Sequence, residues 1–140
     1  PTAVPSTPAR SVLTIGSFDG VHAGHQALIR RARAIADAHG PQGKIRVLAQ
    51  VFDPSPLSVL RPDGAPDRLS TFEQRREWLI QAGADQVLKL EPSPHLLGLS
   101  AADFVAQKVA KHRPIAWVEG PDFRFGRGRE GDVDALADLG

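Results

Sequence analysis

The stretch TIGSFDGVHAGHQALIRRA, residues 14–32, decides how the chain folds. An apolar run over 12–16 ends in Gly16, a turn-rich segment follows, and apolar residues then recur with helical spacing from about Gly24 to His39, where Gly40 and Pro41 stop them. Strand, loop and helix in that order open an α/β unit. The next apolar run, IRVLAQVF at 45–52, reads as a second strand, and it must lie parallel to the first if the helix is the crossover between them.

The same alternation continues outward. Residues 53–69 hold four prolines and no periodicity, which predicts a long surface loop. Ser70 and Glu73 have the spacing of a capping box for a helix over TFEQRREWLIQAG, ended by Gly83, and a third strand is expected at 85–90. The segment EPSP reads as a turn. Ser100 and Asp103 then predict a capped helix running to about His112, ahead of Pro114, with a fourth strand at 115–119. Strands alternating with helices predict an α/β Rossmann-like sandwich with a mainly parallel sheet. No internal repeat interrupts this order.

Composition narrows the function. A length of 140 residues suits one domain, expected over 11–140 behind a loose leader at 1–10 that is rich in Pro, Ser and Thr and lacks a signal peptide's apolar centre. The end, GDVDALADLG, reads as a helix just begun, so the domain is expected to be truncated at its C-terminal side. A net charge of +1 gives no basic excess to grip a nucleic-acid backbone, and no apolar run is long enough to span a bilayer. Without cysteine there is no disulfide, thiolate nucleophile or cysteine zinc site, which fits a cytoplasmic protein.

In open parallel sheets, ligands collect beyond the carboxyl ends of the strands, where the next helix begins with outward-facing N–H groups and a partial positive charge. GSFDGVHAGH occupies that place. Gly16 and Gly20 permit a sharp turn, Gly24 removes a side chain where a phosphate would meet the backbone, and His22 and His25 donate imidazole hydrogen bonds to one anion. Neither a Walker A sequence nor the dinucleotide glycine fingerprint is present. Asp19, His22 and His25 have the ligand types for a metal, but a helix start favours anions over cations.

GSFDGVHAGHQ resembles the first signature of the HxGH nucleotidyltransferase superfamily, in the form found in the FMN adenylyltransferase module of prokaryotic bifunctional riboflavin kinase/FAD synthetases. FDPSP, 52–56, resembles that family's Phe-x-Pro-x-Pro, and EGPDFRFGRGREGD, 119–132, resembles its Gly-x-Asp-Phe-x-Phe-Gly signature. The departures are Ser17 for Asn, Asp53 for Glu, and Glu119 with Pro121 in the third signature. A Ser-Ser-Thr-x-Ile-Arg motif, which in the family adds triphosphate contacts, does not occur before Gly140.

The resemblance implies adenylyl transfer from ATP, with Mg²⁺, to FMN, giving FAD and pyrophosphate, and a riboflavin kinase domain in the parent chain. It implies catalytic roles for His22, His25 and Asp122, with Gly16, Ser17, Phe18 and Gly24 joining the two histidines around ATP. Pro54, Pro56 and Phe125 are the flavin-side candidates, since prolines and aromatic rings make rigid flat walls. Phe123 and Phe125 alternate along an extended segment, so at least one of them is expected in the core. Asp122 would orient FMN or hold Mg²⁺ through water, and Arg124, Arg127 and Arg129 among glycines form a basic loop suited to phosphates. Arg30, Arg31 and Arg33 read as the wet face of the first helix, and Trp78 and Trp117 as core. The alternatives are a related enzyme with another phosphate acceptor, or a flavin- or nucleotide-binding module without catalysis.

Overall fold

The computed structural model describes residues 10–19, 23–40, 45–53, 70–120, 123, 125–127, 130–134 and 136. Four strands, β1 Ser11–Gly16, β2 Arg46–Phe52, β3 Gln86–Leu90 and β4 Pro114–Trp117, form one sheet in the order β3-β2-β1-β4, and all neighbours are parallel. The helices are α1 Ala23–Ala38, α2 Phe72–Ala82, the short α3 Pro94–Leu97 and α4 Ala101–His112. This is the Rossmann-like arrangement expected from the alternation of strands and helices. It makes β1 central, because the chain steps outward to β2 and β3 and then returns to β1's other side.

Burial explains the sequence pattern. Side chains of β1 and β2 are enclosed on both faces, which is why these strands read as continuous apolar runs. One face packs Val12, Val47, Ala49 and Val51 against Ile29, Ala32 and Ala36 of α1 and Leu79 of α2. The other packs Leu13, Ile15 and Leu48 against Phe104 and Val105 of α4, with Phe125 and Leu136. Arg33, half-buried on α1, departs from the expected wet face: it bonds Asp85 at 2.7 Å and Asp37 at 3.1 Å, tying α1 to the start of β3.

Local signals hold with shifts. The capping box of α2 lies one residue later than expected: Thr71 caps the helix and exchanges hydrogen bonds with Gln74, while Ser70 donates to Asp19 at 2.6 Å. Ser100 caps α4 by accepting from the Asp103 N–H, and Arg113, in the left-handed region at φ 47°, turns the chain into β4. Proline opens this strand, the position in a strand that loses least from a missing N–H. EPSP is more than a turn, since Ser93 caps the one-turn helix α3. Trp78 is 38% exposed rather than core, because the buried stripe of α2 runs through Arg75 and Leu79.

A polar group sits within the face covered by α4. Ser11 donates its hydroxyl to the His112 carbonyl at 2.8 Å, and the Gln50 amide meets His112 Nε2 at 3.2 Å. Burial, with Lys108, Lys111 and Arg46 nearby, lowers the His112 pKa to about 4, so at neutral pH its ring is uncharged and Nε2 can accept from Gln50.

Candidate active site

The carboxyl ends of the strands gather the segments singled out from the sequence. β1 ends at Gly16, and α1 begins at Ala23, so Gly24 and His25 stand in the helix's first turn, beside the positive end of its dipole. Between them Phe18 takes the left-handed conformation at φ 52°, unusual for a residue with a side chain. That turn drives its ring into the core and into a T-shaped contact with the His25 imidazole, 5.2 Å between centroids and 70° between planes. Gly16 suits this packing: a Cβ there would lie 3.3 Å from the Phe18 ring, a tight contact that the ring would have to yield to by a few tenths of an ångström.

A second group of side chains lies where β2 ends. Asp53 accepts from Arg75 at 3.0 Å and lies 3.6 Å from the Lys89 ammonium. Arg75, only 2% exposed, also donates to the carbonyls of Ser17 at 2.7 Å, Phe52 at 3.1 Å and Thr71 at 3.2 Å. The first loop, the end of β2 and the cap of α2 thus meet on one guanidinium. Its sequence context, EQRREW, gives no sign of this beyond a four-residue spacing from Leu79, which puts Arg75 on the buried stripe.

The end of β4 supplies the third group. Glu119 lies just past the strand, and its carboxyl Oε1 accepts from the Ile15 N–H at 2.5 Å, from Trp117 Nε1 at 3.0 Å and from the Thr14 hydroxyl at 3.4 Å. Burial outweighs these bonds and pushes its pKa up to about 8. Beyond it, Phe125 and Gly131 exchange two backbone hydrogen bonds, at 3.0 and 2.8 Å, closing the base of the glycine-arginine loop. A Cβ on Gly131 would come within 2.6 Å of the Phe125 ring. Arg127 is exposed on this loop, and its N–H bonds the Leu99 carbonyl at 2.6 Å.

Of the residues expected in the site, Gly16, Ser17, Phe18, Gly24 and His25 come together in the first loop. Phe125 is 5% exposed and packs on Phe104, Trp117 and Phe123, so of the two alternating phenylalanines it is the one in the core, and little of its ring is left to face a flavin. Phe123 and Trp117 are half-buried in the same ring cluster. Gly20, His22, Pro54, Pro56, Asp122, Arg124 and Arg129 lie outside the described residues. Among the described residues no cluster of three or more His, Asp or Glu side chains could hold a metal, and no helix is long and apolar enough to cross a membrane. An apolar cavity of about 320 Å³ lies against α4 and β4; Glu119 and Trp117 are in its lining, while Gly16, Ser17, Phe18, Gly24, His25 and Phe125 are not.

Comparison with known proteins places this arrangement. The family model for FAD synthetase matches residues 4–140. The bifunctional riboflavin kinase/FMN adenylyltransferase of Escherichia coli K12 is 37% identical over 130 residues, covering 92% of this chain and 40% of that protein. The protein of the same name from Pseudomonas fluorescens is 38% identical over 130 residues, with the same coverage of 92% and 40%. The FAD synthetase of Listeria monocytogenes is 31% identical over 141 residues, covering 99% of this chain and 55% of that protein. This chain therefore spans about 40% of the length of the bifunctional relatives. A crystal structure described as a macrolide-efflux protein from Streptococcus pneumoniae superposes with a TM-score of 0.79 at 25% identity, over 96% of this chain and 43% of that one. The family model covers nearly the whole chain and the relatives match it over more than nine-tenths of its length: the chain belongs to the FAD synthetase family.

Proposed function

We propose that residues 11–140 form the adenylyltransferase part of a cytoplasmic enzyme that makes FAD and pyrophosphate from FMN and Mg·ATP, joined in the natural protein to a riboflavin kinase domain. The observation that carries this reading is the first loop: in a chain of the FAD synthetase family, Gly24 and His25 stand at the start of α1, beyond the carboxyl end of the central strand. Relatives whose names include FMN adenylyltransferase support the same choice of acceptor.

In this reading the FMN phosphate oxygen attacks the α-phosphorus of ATP in line, the bond to the β-phosphate oxygen breaks, and pyrophosphate leaves with its electron pair. No covalent enzyme intermediate is needed. The work is positioning and charge neutralisation, which the α1 N-terminus, His25 and His22 share. Near the helix start the dipole discourages protonation of an imidazole, while polyphosphate favours it, so donation strengthens as charge builds on the leaving group. The T-shaped contact with Phe18 fixes the His25 ring for that task. Gly16, Ser17, Phe18 and Gly24 line the nucleotide loop, Pro54 and Pro56 are assigned to the flavin, Asp122 to orienting FMN, and Arg124, Arg127 and Arg129 to phosphates.

The test is chromatographic detection of FAD after the natural protein is incubated with FMN and Mg·ATP. His25→Ala is expected to lower kcat about 100-fold or more, the usual loss for one donor to developing charge, with an unchanged circular-dichroism spectrum. FAD formation at a near-normal rate by His25→Ala removes the role given to this histidine. A folded natural protein that makes no FAD removes the flavin assignment.

A further inference from the structure

Arg75 belongs to no motif in the sequence, yet it is the group on which the two substrate loops converge. Its guanidinium, 2% exposed, donates Nη1 to the Ser17 and Phe52 carbonyls, Nη2 to the Asp53 carboxylate and Nε to the Thr71 carbonyl, all between 2.7 and 3.2 Å. A buried cation is costly unless its donors are satisfied, and here four acceptors from three separate segments surround it. A planar fork can serve acceptors in several directions at once, which a lysine ammonium cannot reproduce with the same reach.

The segments joined are informative. Ser17 opens the loop that leads to His25, and Asp53 immediately precedes the prolines proposed for the flavin side. Lys89, 3.6 Å from the other Asp53 oxygen and 4.9 Å over the Phe72 ring, braces the far side of that carboxylate. Ser70, next to the cap Thr71 whose carbonyl accepts from Arg75, adds a second tie by donating to Asp19 at 2.6 Å. Three chain segments far apart in sequence are therefore held at one separation at the carboxyl edge of the sheet.

We propose that Arg75 is a positioning residue, which sets the distance between Ser17 in the first loop and Asp53 at the end of β2 so that the acceptor phosphate meets the α-phosphorus in line. This rests on the adenylyl-transfer reading above. Arg75 touches neither substrate; it acts through Ser17 and Asp53. A displacement of about 1 Å between reacting groups can cost about 100-fold in rate, so loosening this junction registers in kcat before it registers in the fold.

The experiment uses Arg75→Lys and Asp53→Asn in the natural protein, with kcat, both KM values, circular dichroism and backbone amide exchange. Arg75→Lys is expected to lower kcat about 10- to 100-fold at saturating FMN and Mg·ATP while the protein stays folded. Asp53→Asn, which cuts one link and leaves the carbonyl bonds, is expected to lower kcat about 3- to 10-fold, and it decides the matter if Arg75→Lys does not fold. Exchange should quicken at residues 17–19 and 70–75 and stay unchanged at 12–13 and 47–48, at the opposite ends of the strands. A purely structural arginine would lower the melting temperature and leave kcat and KM within twofold well below it, and that result overturns the proposal. If the natural protein makes no FAD, the adenylyl-transfer reading fails separately, and unchanged exchange at 17–19 and 70–75 in the folded variants still overturns the junction itself.

Discussion

Glu119 shows how one carboxyl can bind a site to pH. Its ordinary pKa of 4.5 rises to about 8 in the folded chain because burial disfavours the anion. The folded state then keeps a proton that the unfolded chain releases, so the stabilising contribution is complete below about pH 4.5 and is lost as pH rises through about 8. The urea midpoint of the natural chain should fall across that window. Glu119→Gln imitates the protonated group and keeps an oxygen for the Ile15 N–H, so its midpoint should be flatter between pH 5 and 8; equal slopes for the two proteins would remove the assignment. The sequence marks Glu119 only as a departure from a signature, because a glutamate on the page carries no sign of its solvent. Arg75 is hidden in the same way: an arginine in a charged helix reads as wet until three carbonyls are found around it.

At the scale of elements, the sequence is most legible where one physical cause dominates. Strands enclosed on both faces must be apolar throughout, and β1 and β2 were recognisable for that reason. Caps are weaker signals when two candidates adjoin. Ser70 and Thr71 both suit an N-cap, and the choice is made by tertiary structure, since Ser70 is taken by Asp19 and Thr71 with Gln74 is left to close α2. Thr71→Ala should therefore cost about 1 kcal/mol of stability in denaturant unfolding. Ser70→Ala should leave the helix cap intact and loosen the first loop instead, visible as faster amide exchange near Asp19. Trp78 and Phe125 illustrate the same limit from two sides. The first has an apolar side chain and is exposed beside a buried arginine, while the second has the chemistry of a flavin wall and is enclosed by Phe104 and Trp117.

For the whole molecule, acid is expected to loosen the face covered by α4. His112, at the last turn of that helix, has its pKa lowered from 6.5 to about 4, chiefly by burial and further by Lys108, Lys111 and Arg46. The unfolded chain takes up a proton that the folded chain refuses, so this contribution to stability is complete above about pH 6.5 and is lost as pH falls through about 4. His112→Gln, which still offers the Gln50 amide an acceptor, should flatten the loss of stability over that range in urea titrations; an unchanged slope would show that the histidine does not set it. The fold class and the first loop could be read from the sequence because both depend on local spacing, whereas this polar group joins residues 11, 50 and 112 and exists only in three dimensions.

The strand order has a further consequence while the chain is being made. β1 and β2 leave the ribosome early and can pair, but the other edge of β1 is completed by β4, whose first residue, Pro114, follows the end of β2 by roughly 60 residues. At synthesis rates of about 5–20 residues per second, that edge stays open for about 3–12 s. During this interval the nascent chain presents SVLTIG, apolar on both faces, with an unpaired row of backbone donors and acceptors. A ribosome stalled before residue 114 would hold the strand that leads into the first loop in its most adhesive form.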